Sequence, residues 1–260
     1  MLEHLARLGY ASKAVIYAIV GMLAILTVIN RGGRITDTSG ALRVVLRQPF
    51  GRTLLIVLAI GLCGYAIWRL LDAIADPDHQ GTAAGGLIAR IGNAIRGCVY
   101  GALAIDAIRL LRGLRGSNGN EAEMWTARIL ELPLGEVAVG IAGAVVAIYG
   151  VSELIQSLRG KHDPRLDMSC FQSRVRPAIQ KICRFGVGVR GGLIATLGVF
   201  LVRAALTHDP NQAAGSRESM LRLGGVVQGR WFLALIAAGV LAYAVDQAVH
   251  ARCRRIRPVL

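Results

Sequence analysis

The chain of 260 residues combines a strongly apolar composition with a large positive charge: 54% of its residues are hydrophobic, and the formal net charge is +14. A mean hydropathy of +0.51 is too high for an ordinary soluble domain, and apolar runs with basic flanks are typical of membrane proteins. Nucleic-acid binding is the usual alternative for so basic a chain, but the basic residues are scattered between apolar runs and form no known reading motif.

Six nearly charge-free runs predict six transmembrane helices. In chain order they are 14–29, 53–68, 97–105, 137–152, 191–202 and 231–245. Most are shorter than the roughly 20 residues that cross a bilayer core, but Lys and Arg at their ends can extend a span by reaching to the interface. The alternative of a soluble six-helix bundle requires a polar outer stripe on every helix, and the first two runs have none. We interpret the first run as a helix rather than a cleaved signal, because no cleavage site leads into a polar domain.

A short polar loop element follows the first helix of each predicted helix pair. In the first pair, residues 41–47 predict a short amphipathic helix that Pro49 ends. In the second, Asn120 is a candidate N-cap for a helix over 121–130. In the third, residues 216–223 predict a similar element that two glycines end.

The chain repeats itself three times, and each unit reads as helix, polar loop and glycine-headed helix. We expect one polytopic membrane domain over 1–260, with units at 5–76, 88–159 and 182–253 and a basic loop at 160–181. Each unit opens with an Arg, a Gly two residues later and a basic residue four residues further on: Arg7, Gly9 and Lys13; Arg90, Gly92 and Arg96; Arg184, Gly186 and Arg190.

Six spans place both termini on the same side of the membrane. A modest excess of Lys and Arg on that side, mainly in the 160–181 loop and the C-terminal tail, favours cytoplasmic termini. We therefore expect a multi-pass protein of the bacterial inner membrane.

The motifs resemble a known family. The R-[LIF]-G-x3-[KR] start of each unit, G-A-L-x5-Q-P-F-G from Gly40 to Gly51 and G-Y-A-I-W-R from Gly64 to Arg69 are similar to the bacterial membrane family catalogued as domain of unknown function 1206. The resemblance implies a fold of three two-helix units and brings no established activity. The third unit departs most, since Ile194 stands where the other units have Tyr17 and Tyr100.

The repeated basic residue lies on a stripe of small residues, because positions four apart share a helix face. Small residues allow helices to approach closely in lipid, so the basic residue on this stripe must face protein or reach the interface. An acidic partner ends the second helix of each unit, and the predicted pairs are Lys13 with Asp72, Arg96 with Glu153 and Arg190 with Asp246. The alternatives are a ring of charges around a central site and a headgroup site for anionic lipid.

Further polar residues fall within the predicted helices. Tyr65, Tyr149 and Tyr243 recur in the three second helices, as interface anchors or as hydrogen-bonding core residues, and Arg69 has no basic counterpart in the other units. The tyrosine shares a helix face with the polar position four residues later.

Asp106 is the costliest residue to place in a membrane, because it lies well inside the third helix. It is a candidate for proton or cation handling, or it forms a local ion pair with Arg109 three residues later.

The arginine that opens each unit completes the candidate sites. Arg7, Arg90 and Arg184 lie at the predicted interface, where they are candidates for contact with lipid headgroups.

No motif in the chain predicts catalysis or cofactor binding. There is no Walker loop, no G-x-S-x-G, no H-E-x-x-H and no catalytic triad spacing. The five histidines are scattered and predict no metal site, and the five cysteines have neither C-x-x-C nor zinc spacing, so we expect no disulfide framework.

Two functions stay open on the sequence. The first is a structural or interaction module that contacts the bilayer and binds anionic lipid. The second is a small transporter or channel for an ion or polar solute, with a site on the pseudo-threefold axis.

Overall fold

The structure is a computed structural model that describes residues 2–29, 36–75, 84–114, 121–160, 170–208 and 230–253. All regular elements in these ranges are helices. In chain order they are α1 (Leu2–Val28), α2 (Thr38–Leu46), α3 (Gly51–Ala75), α4 (Ala84–Leu111), α5 (Glu121–Leu130), α6 (Gly135–Leu158), α7 (Arg176–Thr207) and α8 (Arg230–Cys253).

Five of the described helices are long and apolar enough to cross a membrane: α1, α3, α6, α7 and α8. Helix α4 has 28 residues, but Arg96, Asp106 and Arg109 interrupt its apolar stretch and it is not among the five. The described part of the chain is therefore all-helical, with several apolar helices that are typical of a membrane protein, and the sixth span stays a prediction.

The short loop helices form where local sequence predicts them. Helix α2 begins at Thr38, because the Asp37 side chain accepts a hydrogen bond from the Gly40 amide at 2.7 Å and caps it. Helix α5 has the predicted bounds. The candidate cap Asn120 and the element at 216–223 lie outside the described residues.

The turn from each short helix into the next long helix has the same construction in the first two units. Phe50 and Leu134 both adopt the left-handed region, with φ of 60° and 66°. The glycine that follows each of them opens the long helix, and a Cβ on Gly51 or Gly135 would overlap a carbonyl oxygen of the preceding short helix. The repeated P-[FL]-G motif is therefore a tight helix–helix corner.

The six long helices pack in a ring that is open at one place. Five neighbouring pairs of helices pack against each other: α1 with α3, α3 with α4, α6 with α7, α7 with α8, and α8 with α1. The remaining neighbours, α4 and α6, scarcely touch over the described residues. The largest hydrophobic core joins α1, α2, α3, α4 and α8, and includes Tyr10, Ile16, Leu62 and Tyr65.

A disulfide joins the start of the α7 segment to the end of α8, which corrects the expectation of no disulfide. Cys170 and Cys253 are bonded, with their Cα atoms 6.1 Å apart. The pairing depends on the packing of α7 against α8, which brings together residues 83 apart in sequence and is invisible to local cysteine spacing.

Candidate functional site

Each repeated basic residue packs on the tyrosine of the second helix of its own unit. The distance from the charged group to the ring centroid is 4.4 Å for Lys13 and Tyr65, 5.1 Å for Arg96 and Tyr149, and 4.9 Å for Arg190 and Tyr243. Two features that the sequence repeats, the basic residue and the tyrosine, are thus partners, and cation–π attraction is the shared interaction.

Lys13 is enclosed by aromatic rings. Its ammonium lies 4.4 Å from the Tyr65 ring, 4.6 Å from Tyr100 and 5.5 Å from Tyr10, and it donates a hydrogen bond to the Tyr65 hydroxyl at 3.2 Å. The residue is 3% exposed. A buried ammonium surrounded by three rings exchanges part of its hydration for interaction with π-electrons.

The predicted pair of Lys13 with Asp72 is wrong, because Asp72 belongs to Arg69. Arg69 donates to Asp72 at 3.3 Å, to the Asn93 side-chain oxygen at 2.9 Å, and to the hydroxyls of Tyr65 at 2.9 Å and Tyr10 at 3.1 Å. These hydrogen bonds from the Arg69 guanidinium join α3 to α1 and α4. The carboxylate of Asp72 is therefore paired with Arg69.

Sequence reasoning missed two members of this network, Asn93 and Tyr10. The Asn93 amide donates to Asp72 at 2.8 Å, and the Tyr10 ring packs edge-on to Tyr65 with centroids 5.2 Å apart. Both residues directly follow the glycine of the repeated motif. A polar residue at that position in two units was the signal.

Glu153 receives two arginines from different units. Arg96 lies 3.6 Å from it, which is the predicted pair, and Arg190 lies 2.6 Å from it. The Tyr149 hydroxyl also donates to Glu153 and accepts from Arg96. A single carboxylate thus links α4, α6 and α7.

The predicted pair of Arg190 with Asp246 is wrong for a packing reason. Helices α6 and α7 approach at their backbones, since a Cβ on Gly191 would lie 2.8 Å from the Leu154 amide and one on Gly150 would overlap Ala195. This close crossing brings Arg190 to Glu153 on α6. Asp246 instead accepts from Gln247 at 2.8 Å and lies 3.4 Å from His250.

Tyrosines from all three units meet at the centre of the bundle. The hydroxyls of Tyr17 and Tyr100, which are equivalent in the repeat, are 3.1 Å apart. Tyr17 packs edge-on to Tyr243 with centroids 4.8 Å apart, and Tyr65 packs on Tyr100 at 5.0 Å. Tyr65 and Tyr243 are therefore core residues and not interface anchors, with exposures of 1% and 5%.

We call this assembly the cation–tyrosine cluster. Its members are Lys13, Arg69, Arg96, Arg190, Asp72, Glu153 and the tyrosines 10, 17, 65, 100, 149 and 243. Four basic side chains face two carboxylates within it, and Asp246 beside His250 adds a third at its edge. Positive charge exceeds negative charge in a low-dielectric interior, where compensation is strongly favoured.

Asp106 and Arg109 differ sharply in their environment. Asp106 is 6% exposed, whereas Arg109 is exposed, so one faces the bundle and the other faces outward.

The arginine that opens each unit binds the carbonyl end of the preceding second helix. Arg90 donates to Ala73 and Ile74 at 2.8 and 2.9 Å, Arg184 to Ser157 and Leu158 at 3.0 and 2.9 Å, and Arg7 to Arg252 at 3.0 Å. The acceptors lie in the last turns of α3, α6 and α8.

These contacts explain why the arginine is repeated. Carbonyls at a helix C-terminus lack partners within the helix and attract cations. Arg90 and Arg184 thus each link one unit to the previous one, and Arg7 links the first unit to the third. The role of these arginines as lipid contacts stays a prediction.

Among the described residues, no three His, Cys, Asp or Glu side chains come together as a metal-binding group. The polar contacts described above join cations, carboxylates, phenol hydroxyls and the side-chain amides of Asn93 and Gln247.

Comparison with known proteins agrees with the repeat. The model of a family described as Domain of Unknown Function (DUF1206) matches three segments, residues 8–76, 91–160 and 185–254. The uncharacterized protein YxxB of Bacillus subtilis (strain 168) is 30% identical over 244 residues, which cover 94% of this chain and 88% of the relative. No solved structure matches the chain. With three matched segments that span most of its length, this chain belongs to the DUF1206 family.

Proposed function

We propose that the protein is a structural or interaction module of the bacterial inner membrane, with cytoplasmic termini, whose cation–tyrosine cluster holds three helix pairs together. One observation carries the proposal. In all three units the second repeated basic residue, which is Lys13, Arg96 or Arg190, packs on the tyrosine of that unit's second helix. The repeated chemistry is therefore directed at the protein itself.

The energetics support a stabilising role. A desolvated cation–π contact contributes about 2 kcal/mol, and removing one partner of a buried ion pair costs about 3–5 kcal/mol. In a bilayer, apolar burial does not distinguish a helix neighbour from a lipid tail. Polar contacts inside the bundle therefore act together with close packing at small residues to specify which helices pair.

Transport is the alternative. It needs a route for solute along the axis, and the described side chains there pack ring against ring: Tyr17 on Tyr243 and Tyr65 on Tyr100. This packing favours the structural role over a conducting one.

The test removes the most enclosed cation. Lys13→Met keeps a long side chain in the cage of Tyr10, Tyr65 and Tyr100 but removes the charge. We expect the unfolding temperature of the purified protein in detergent to fall, because the cage then holds three tyrosines without their cation. Lys181→Met is the matched control, since Lys181 is exposed on α7, and it should leave the unfolding temperature unchanged.

An unchanged or raised unfolding temperature for Lys13→Met would overturn the structural role. The charge would then be maintained against its desolvation cost for a ligand or a transported ion.

A further inference from the structure

The second unit differs from the other two in how its helices meet. A Cβ on Gly9 would overlap Tyr65, and one on Gly186 would overlap the backbone of Tyr243, so the helices of units one and three are in close contact. A Cβ on the equivalent Gly92 meets no atom within 4 Å. Helices α4 and α6 are therefore separated, over the described residues, by a gap that opens sideways from the cation–tyrosine cluster.

A partly exposed cation lies in this gap. The side chain of Arg96 is 30% exposed, against 17% for Arg190. Both arginines share Glu153, and Arg190 is the closer of the two, at 2.6 Å against 3.6 Å. Arg96 thus lies farther than Arg190 from the shared carboxylate, and its side chain is more exposed.

The walls beside this cation are apolar. Val99 follows Arg96 by three residues on α4, and Val145 precedes Tyr149 by four residues on α6, so each shares a face with a polar residue of the gap. Their exposures are 58% and 44%. Only 17% of the apolar stretch of α6 is buried, against 56% for α3, so α6, which packs along α7, leaves most of its remaining surface uncovered by the described residues.

The depth of Arg96 matches a headgroup. Arg90, which caps the carbonyl end of α3, lies six residues earlier on α4, or about 9 Å of helix rise. The headgroup region is about 5–8 Å thick on each side of the hydrocarbon core, and an arginine reaches several ångströms along its own stem. With Arg90 at the interface, as the sequence predicts, a lipid phosphate in this leaflet would lie within reach of the Arg96 guanidinium.

We propose that the gap between α4 and α6 binds an anionic phospholipid, with its phosphate on Arg96 and an acyl chain along Val99 and Val145. The proposal rests on the membrane role proposed above and names a ligand for it. It also supplies negative charge to a cluster in which basic side chains outnumber carboxylates. A second copy of this chain fits less well, because a twofold contact at this face would set Arg96 against its own equivalent.

The test fills the gap without removing the charge. Gly92→Leu places a side chain in the open space, and Gly192→Leu is the matched control, because a Cβ on Gly192 on α7 also meets no atom within 4 Å. The full-length protein in detergent is mixed with phosphatidylglycerol or phosphatidylcholine, and bound lipid is counted by native mass spectrometry. Inorganic phosphate alone is a third probe.

We expect the wild type and Gly192→Leu to retain phosphatidylglycerol in preference to phosphatidylcholine, and Gly92→Leu to bind it about tenfold more weakly. Arg96→Gln should lose the preference for the anionic lipid while still binding both lipids weakly. Inorganic phosphate should bind poorly, since it leaves the apolar walls uncovered.

Three results would overturn the proposal. These are equal retention of both lipids by the wild type, unchanged binding by Gly92→Leu, and a chain-to-chain crosslink through the thiol of a Val99→Cys variant, which would place a second copy in the gap. If the lipid-binding test fails while Lys13→Met still lowers the unfolding temperature, the proposed structural role stands and only the lipid ligand is refuted. If Gly92→Leu does not fold, the comparison of Arg96→Gln with the wild type decides the question.

Discussion

The contact between Arg190 and Glu153 is the sharpest quantitative test of the cation–tyrosine cluster. The two side chains approach to 2.6 Å, with exposures of 17% and 16%, and they join α7 to α6. Replacing one member of such a pair by leucine leaves the other charge in a low-dielectric site, which costs about 3–5 kcal/mol.

The two single substitutions are not equivalent. In Arg190→Leu, Glu153 keeps Arg96 and the Tyr149 hydroxyl, so we expect a loss near 3 kcal/mol, the lower end of this range. In Glu153→Leu, two arginines lose their shared carboxylate, so we expect a loss near 5 kcal/mol, the upper end. The double variant should lose less than the sum, with a coupling energy of about 2 kcal/mol.

The assay is a double-mutant cycle read by thermal unfolding in detergent. For a chain of this size, 1 kcal/mol shifts the unfolding temperature by about 2–4 °C, so Arg190→Leu should lower it by roughly 6–12 °C. The parallel cycle of Arg96 with Glu153 should show a smaller coupling, because that pair is 3.6 Å apart and Arg96 is more exposed. Additive effects in the Arg190 cycle would refute the reasoning and show that the two residues are not coupled.

Three further predictions follow from the fold. Washing membranes with carbonate or urea should leave the protein in the pellet, and its release would contradict an integral membrane protein. Arg184→Gln should lower the free energy of unfolding by about 1 kcal/mol, because it leaves the end of α6 uncapped. The exposed Arg203, like Arg184, lies on α7, and Arg203→Gln should have no measurable effect; equal effects of the two substitutions would refute the cap. If the termini are cytoplasmic, Cys170 and Cys253 should be thiols in cells quenched with N-ethylmaleimide and should form their disulfide only after lysis in air. A disulfide already present in the quenched cells would place the termini in an oxidising compartment and reverse the orientation.

The sequence by itself determined the class, the repeat and the local elements. Charge-free runs specify helices that avoid water, and the bounds of α5 follow from its own residues and the proline after it. The short corner before Gly51 and Gly135 is also local, because the preceding residue must enter the left-handed region to turn the chain. The match of the family model to three segments confirms the resemblance that the motifs indicated.

The partners of the buried charges were decided only in the tertiary structure. Repeat symmetry suggested that each basic residue pairs with an acid of its own unit, and this holds for Arg96 with Glu153. It fails for Arg190, because glycines at the α6–α7 crossing bring Glu153 of the second unit closer. It fails for Lys13, because Arg69 and Asn93 already hold Asp72.

The same limit applies to the arginine caps and to the disulfide between Cys170 and Cys253. Spacing along one helix states which face a side chain occupies, but not which helix that face meets or at what distance. Those quantities depend on where small residues let two backbones approach. They also depend on where the two long helices of one unit remain apart, as they do at Gly92.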